Sequence, residues 1–289
     1  MLSAISAGRP SCCGGALRRR TGSLARPVQE SGSSPGRGWR GPWARSENLP
    51  RAGANAEEAL RLATLEGRGV TPVVAHGRLG YLYLAQGDLE HALRVLEPGL
   101  ALCRASGNRD FLRTITGGLG YVYALQGRLA EGRALLEEGV REGIHTGALG
   151  DDHPLRVAWL SEVCRLAGHG EEAWQHARQA LDLARQQKQR GHEAHALYQL
   201  GAVHAHADPP DIEQAEAHYR QALALAKELG MRPLVAHCYR GLGTLYAKIG
   251  RREQARADLS AAIELYRSME MTFWLPQAEA AMAQVEDGS

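Results

Sequence analysis

Leu79-Gly80-Tyr81-Leu82-Tyr83 is followed by Gly87 and Ala92, and the same arrangement returns four more times. Leu119-Gly120-Tyr121-Val122-Tyr123 precedes Gly127. Leu160-Ser161-Glu162-Val163-Cys164 precedes Gly168 and Ala173. Leu200-Gly201-Ala202-Val203-His204 precedes Ala215, and Leu242-Gly243-Thr244-Leu245-Tyr246 precedes Gly250 and Ala255. The small anchors at 80, 120, 161, 201 and 243 lie 40, 41, 40 and 42 residues apart. A fixed period of this size is the mark of a solenoid, in which each unit buries its apolar face against its neighbours.

Each residue type has a physical role. A glycine inside a helix costs roughly 1 kcal/mol against alanine, and in exchange it lets a second helix approach closely. The tyrosine three residues on (Tyr83, Tyr123, Tyr246) shares the anchor's face and fills space between helices. Gly87, Gly127, Gly168 and Gly250 end that first helix in a left-handed conformation. A second helix then brings Ala92, Ala173, Ala215 or Ala255 to the crossing. Its buried stripe reads Leu96/Leu100, Leu136/Val140, Ala177/Leu181, Tyr219/Leu223 and Leu259/Ile263.

Counting 21 residues outward from the regular units places Ala59 on a second helix with no first helix before it. Counting forward from Ala262 places Ala283 on a first helix, Pro276–Val285, with none after it. The expected array is half a repeat, five repeats and a terminal half repeat over residues 54–286. The first half looks like a cut edge, and Leu60, Leu62 and Leu65 on Ala56–Leu65 outnumber what one following repeat can cover.

Residues 1–53 differ in kind. Gly, Pro and Ser supply 22 of them, no apolar periodicity appears, and nine arginines face only Glu30 and Glu47, a net of +7. Such a segment cannot bury enough surface to offset its chain entropy, so a disordered tail is expected. Arg18-Arg19-Arg20 runs into Thr21-Gly22-Ser23, which is no secretory signal. The rest of the chain holds 25 basic and 30 acidic residues (34 − 9 and 32 − 2), a net of −5. It offers no broad basic face for nucleic acid. No run of about 18 apolar residues exists, so no membrane span is expected. Five cysteines (Cys12, Cys13, Cys103, Cys164, Cys238) without metal-ligand spacing read as free thiols of a reducing compartment, the cytosol.

The L-G-x-x-Y…G…A pattern resembles the tetratricopeptide repeat, whose usual period is 34 residues. The extra residues lengthen the connections, as in the kinesin-light-chain-like variant, which Leu149-Gly150-Asp151-Asp152-His153-Pro154 also resembles. HEAT-type repeats share the longer period and lack the Leu-Gly-Tyr and turn-Gly signature. The resemblance covers residues 54–286 and implies an all-α fold, an α-solenoid with a right-handed superhelix of antiparallel helix pairs. A narrower resemblance lies further along. Leu229 to Cys238, Leu242 to Tyr246 and Tyr266 to Leu275 look like the C-terminal repeat region of bacterial adenylate/guanylate cyclase-like signalling ATPases.

Catalytic constellations are missing from the sequence. None of Lys188, Lys227 and Lys248 sits in a Gly-Lys-Ser/Thr phosphate loop. His192-Glu193-Ala194-His195 has one residue too few after Glu to put both histidines on one face as a zinc protease requires. His195, His204, His206 and His218 crowd one repeat. His204 takes the tyrosine slot and the others are expected on solvated faces. No catalytic residue, metal ligand or cofactor is expected, and no enzyme activity.

The functional surface implied by the resemblance is the concave groove of the first helices. Helix spacing assigns to it Tyr81, Tyr121, Leu155, Glu162, Arg165, His195, Tyr198, His206, His237, Arg240, Thr244 and Lys248, with an aromatic early groove and a basic late one. The family's chaperone-tail version grips a carboxylate with Lys and Asn, and no first helix here contains Asn. Two readings remain: a scaffold that binds a protein or peptide in this groove, or the sensor/regulatory fragment of a nucleotide-cyclase/ATPase signalling protein. Neither nucleic acid nor a membrane is expected as a partner.

Overall fold

The computed structural model describes residues 49–66, 71–107, 109–145 and 152–287, all within one compact unit spanning residues 38–289. Among them twelve helices and no strand occur. α1 (Leu49–Glu66) stands alone. Five antiparallel pairs follow: α2 (Thr71–Gln86) with α3 (Leu89–Ala105), α4 (Arg109–Leu125) with α5 (Leu129–His145), α6 (His153–Leu166) with α7 (Gly170–Gln186), α8 (Arg190–Ala205) with α9 (Ile212–Leu229), and α10 (Arg232–Lys248) with α11 (Arg252–Ser268). α12 (Leu275–Asp287) closes the array. Each pair packs on the next, and first helices also touch first helices: α2 on α4, α4 on α6, α6 on α8, α8 on α10 and α10 on α12. This is an all-α solenoid.

The anchors sit where first and second helices cross. A Cβ on Gly120 would lie 2.7 Å from the carbonyl oxygen of Gly132 and 2.9 Å from the nitrogen of Leu136. One on Gly243 would lie 2.7 Å from Leu259 Cγ, one on Gly201 2.7 Å from Tyr219 Cδ1, and one on Gly80 would collide with Leu96. Ser161 uses its extra atom at the same crossing, its hydroxyl donating to the Ala173 carbonyl at 2.7 Å. Opposite the anchors, Ala92, Ala173, Ala215 and Ala255 are fully buried. The stripe of Leu96, Leu136, Ala177, Tyr219 and Leu259 is buried with them.

Local sequence sets the helix ends. Asp88 and Asp211 each accept a hydrogen bond at 3.1 Å from the backbone nitrogen three residues on, as N-caps do. Pro154 and Pro233 occupy the first turns of α6 and α10, where the missing N–H is no loss. Gly127 and Gly168, at φ 85° and 80°, take the left-handed turn that a side chain resists. The slot tyrosines tie each repeat to the one before. Tyr123 donates to Glu97 and Tyr246 to Glu216, both at 3.0 Å, and Tyr83 pairs with Glu57 in the same way.

Two expectations need correction. α1 begins at Leu49, so residues 49–53, read as tail, are helical; the rest of the tail lies outside the described residues. α1 also turns a different edge to α2 than counting predicted. Ala59 is exposed, and Ala63 is buried with Ala56 and Leu60 beside it. Leu62 and Leu65 remain 48% and 71% exposed. No helix among the described residues is long and apolar enough to cross a membrane. Cys103, Cys164 and Cys238 are buried thiols that take part in no disulfide among the described residues; Cys12 and Cys13 lie outside the described residues.

Candidate functional site

The first helices α4, α6, α8, α10 and α12, with Leu129 of α5 and Tyr219 of α9, line an open cavity of about 570 Å³, within the usual range for a small-ligand site. Positions repeat around it as they repeat in the sequence. The residue after each anchor contributes Glu162, Ala202 and Thr244, and the residue three before contributes Tyr198 and Arg240. Four or five after come Arg165, Leu166, Ala205, His206 and Lys248. A second cavity of about 740 Å³ adjoins it between α6–α7 and the segment after α8, sharing Arg165 and His206.

Beneath the cavity lies a layer of buried aromatic and polar side chains. Tyr121 stacks on Trp159 with ring centres 4.6 Å apart and planes 4° from parallel. The Tyr121 hydroxyl donates to Glu162 Oε2 at 2.7 Å, and Gln199 Nε2 donates to the same oxygen at 2.9 Å. Arg165 Nη2 stands 3.7 Å from the other oxygen, Oε1. His237 Nδ1 lies 2.7 Å from the Tyr266 hydroxyl, and the His237 ring meets Trp274 edge-on at 4.7 Å. Arg240 reaches Gln277 Oε1 at 2.5 Å and Tyr198 Oη at 3.4 Å, and its guanidinium stands 5.4 Å from the Trp274 ring centre.

Burial governs the titrations here. It raises the Tyr121 hydroxyl well above its ordinary value, and Glu162 pushes the same way. It lowers His237 well below the ordinary histidine value, with Arg240 and His195 adding to the effect. His195 is pushed down to about 3, by burial first and then by His192. His206 is lowered chiefly by desolvation, and Arg165, Lys248 and Arg240 all push it further down, so these three cations address one space.

Of the groove residues expected from sequence, Glu162, Arg165, Tyr198, His206, Arg240, Thr244 and Lys248 line the main cavity. Tyr121, His195 and His237 are 6%, 7% and 9% exposed and form its floor with Trp159, Gln199 and Trp274. His195 is therefore not on a solvated face. Tyr81 and Leu155 are not groove residues. Leu155 is fully buried. Tyr81 is 1% exposed, donates to the Thr114 carbonyl at 3.1 Å and packs edge-on against Trp159 at 5.4 Å. Trp159 occupies the space between Tyr81 and Tyr121, which puts Tyr81 inside the wall.

Sequence reasoning missed the α12 side of the cavity: Phe273, Trp274, Gln277, Ala280 and Gln284. The signal was present. With Ala283 as the α12 anchor, Ala280 and Gln284 stand at the same offsets as Arg240 and Thr244. It also missed one trio able to hold a metal ion: Cys164 of α6 with Glu172 and His176 one turn apart on α7, their ligand atoms within 4.8 Å of one another. Arg133 Nη2 already holds Glu172 Oε2 at 2.6 Å, so the trio is built as an ion-paired contact between repeats.

The tetratricopeptide repeat family matches residues 211–268. No curated protein matches the chain. Many solved structures share its fold, among them the following three. A Rap protein complexed with competence and sporulation factor superposes with a TM-score of 0.61 at 16% identity, over 76% of this chain and 64% of that one. The Rap conjugation gene regulator of plasmid pLS20, in complex with the Phr* peptide, gives 0.59 at 18% identity, over 78% and 60%. A signal transduction ATPase with numerous domains from Pyrococcus horikoshii, which carries a tetratricopeptide repeat sensor, gives 0.56 at 17% identity, over 82% and 36%. The chain thus spans under two thirds of each of these proteins. Residues 211–268 carry tetratricopeptide repeat sequence, and the described helices form an α-solenoid of tetratricopeptide type.

Proposed function

We propose that this chain is a non-catalytic interaction scaffold that receives a partner segment in the groove of its first helices. One observation carries the reading: five successive first helices contribute side chains, at repeating offsets, to one cavity of about 570 Å³. The second helices α5 and α7 instead meet through a partly exposed ion pair, Arg133 with Glu172, as a supporting layer does. Two proteins of the same fold, the Rap regulator and the Rap protein above, are seen with a peptide and with a sporulation factor, which supports a ligand-binding use of such a solenoid.

A second reading keeps the groove and changes its setting: the chain is the sensor end of a signalling ATPase of the cyclase-like kind. It is favoured by the likeness of Leu229–Cys238 and Tyr266–Leu275 to that group, and by the shared fold of the Pyrococcus sensor. An ATPase reading frame beside this one in the genome would support it.

The test uses the full chain as bait, with two variants. Thr244→Trp fills the cavity, and Ala257→Trp places the same ring on the exposed face of α11. Partners lost with Thr244→Trp and kept with Ala257→Trp support groove binding. Partners retained by Thr244→Trp, or lost equally with both variants, refute it.

A further inference from the structure

The cavity wall is unbalanced in charge and in hydrogen bonding. Four of its lining residues carry charge: Arg165, Arg240, Lys248 and Glu162. Glu162 is already committed to Tyr121 and Gln199 below. Among the described residues Arg165 pairs with that carboxylate alone, at 3.7 Å, and its buried Nε has no acceptor. The acceptors of Arg240, Gln277 and Tyr198, are neutral. Lys248 reaches only the Ala205 carbonyl, at 3.4 Å. The indole N–H of Trp274 is buried and unpaired. Three cations against one carboxylate, with two buried N–H groups unpaired and one unpaired amide oxygen, Gln199 Oε1, below them, make a wall whose surplus of donors and positive charge is completed by an anionic ligand.

The spacing says more. Arg240 and Lys248 are eight residues apart on α10, about 12 Å along its axis. Their heads meet different groups of α8, Arg240 the Tyr198 hydroxyl and Lys248 the Ala205 carbonyl. Held apart in this way, they are matched by two carboxylates strung along the groove, each at a charge-assisted hydrogen-bond length of about 2.8 Å. In an extended peptide, acidic side chains at i and i+2 project from one side about 7 Å apart, and side-chain reach on both partners spans the remainder. Leu129, Leu166 and Phe273 add an apolar part to the same lining. The chain's own residues 1–53, at net +7, are the wrong sign to occupy it.

We propose that the groove selects a short extended peptide carrying two acidic side chains two or more residues apart, held by Arg165, Arg240 and Lys248. This rests on the groove reading above and adds the chemistry of the occupant.

The test pairs two hexapeptide pools with both ends blocked. One has Glu at positions two and four; the other has Gln there. Both have uncharged residues elsewhere. Binding to the full chain is read by calorimetry and by pool enrichment. The acidic pool is expected to bind at least about tenfold more tightly and to weaken as salt rises from 50 to 500 mM. Lys248→Gln, at an exposed position, should cost about tenfold with the circular dichroism unchanged, and Lys248→Arg should restore it. Equal binding of the Gln pool overturns this inference and leaves the groove reading standing. Binding of neither pool overturns this inference, while the groove reading stands or falls on the partners lost with Thr244→Trp. Occupancy by succinate equal to that by the acidic peptides, at equal concentration, overturns the peptide assignment in favour of a small dianion.

Discussion

Gly87 touches Trp274 across 187 residues of sequence. A Cβ on Gly87 would lie 3.1 Å from both Cδ1 and Nε1 of the indole, and 2.9 Å from Phe273 Cβ. The turn that ends the first repeat's α2 therefore meets the turn that starts α12, and the groove is bounded at that side by the two ends of its own array. Trp274 is held there by His237 and Phe273, each edge-on at 4.7 Å.

A matched pair of glycines tests this closure. Gly87 and Gly127 have the same backbone strain, φ 74° and 85°, and Gly127 has nothing within 4 Å of its added Cβ. Gly87→Ala and Gly127→Ala therefore differ only in the contact with residues 273–274. Gly87→Ala should lose about 1–3 kcal/mol more in chemical denaturation. Equal losses would show that the two turns do not meet.

The repeat register makes a second prediction. Gly243→Leu drives a side chain into Leu259, whose Cγ and backbone nitrogen stand 2.7 and 3.1 Å from the added Cβ, and should cost about 1–3 kcal/mol or more. Glu279→Ala removes only an exposed ion pair with Arg267, worth about 0–1 kcal/mol. Urea midpoints that fall equally for the two variants would contradict the register.

Much of this fold was legible because the period repeats the same small residue at the same crossing. Gly80, Gly120, Gly201 and Gly243 are anchors for one geometric reason, and Ser161 keeps the place with a hydroxyl bond. The groove was legible in part. Spacing identifies a face of a helix, yet two neighbouring first helices compete for that face. Tyr81 shares its offset with Tyr121 and Glu162, and Trp159 of α6 seals it in. The contact of Gly87 with Trp274 leaves no local trace, because it depends on the accumulated rotation of five repeats.

Acid should destabilise the protein earlier than its carboxylates alone require. Burial holds His192 and His195 down to about 3 and His153 to about 4, with Arg156 lowering His192 and His153 further. An unfolded chain binds these protons near pH 6.5 and the folded one does not, so stability is complete above about 6.5 and falls as pH drops toward 4. Each histidine contributes about 1.4 kcal/mol per pH unit in that window. Melting temperatures should decline between pH 6.5 and 5, and His195→Gln should flatten the slope. A level profile over that interval would refute the neutral buried histidines.

The α1 edge carries its own prediction. Leu62 and Leu65 are exposed on α1, the first of the described helices, and an exposed apolar patch on a solenoid edge marks a contact surface. Leu62→Glu with Leu65→Glu should leave the melting temperature within about 0.5 kcal/mol of stability change and reduce concentration-dependent association in sedimentation. Strong hydrogen-exchange protection across residues 56–66 in a dilute monomer would mean that the edge is already covered.

The most direct measurement is hydrogen exchange with and without a bound peptide selected by the full chain. Binding in the groove predicts added protection on α4, α6, α8, α10 and α12, greatest around Arg165, Arg240 and Lys248, with α3, α7 and α11 unchanged. Protection confined to the second helices, or to the exposed edge of α1, would contradict the account.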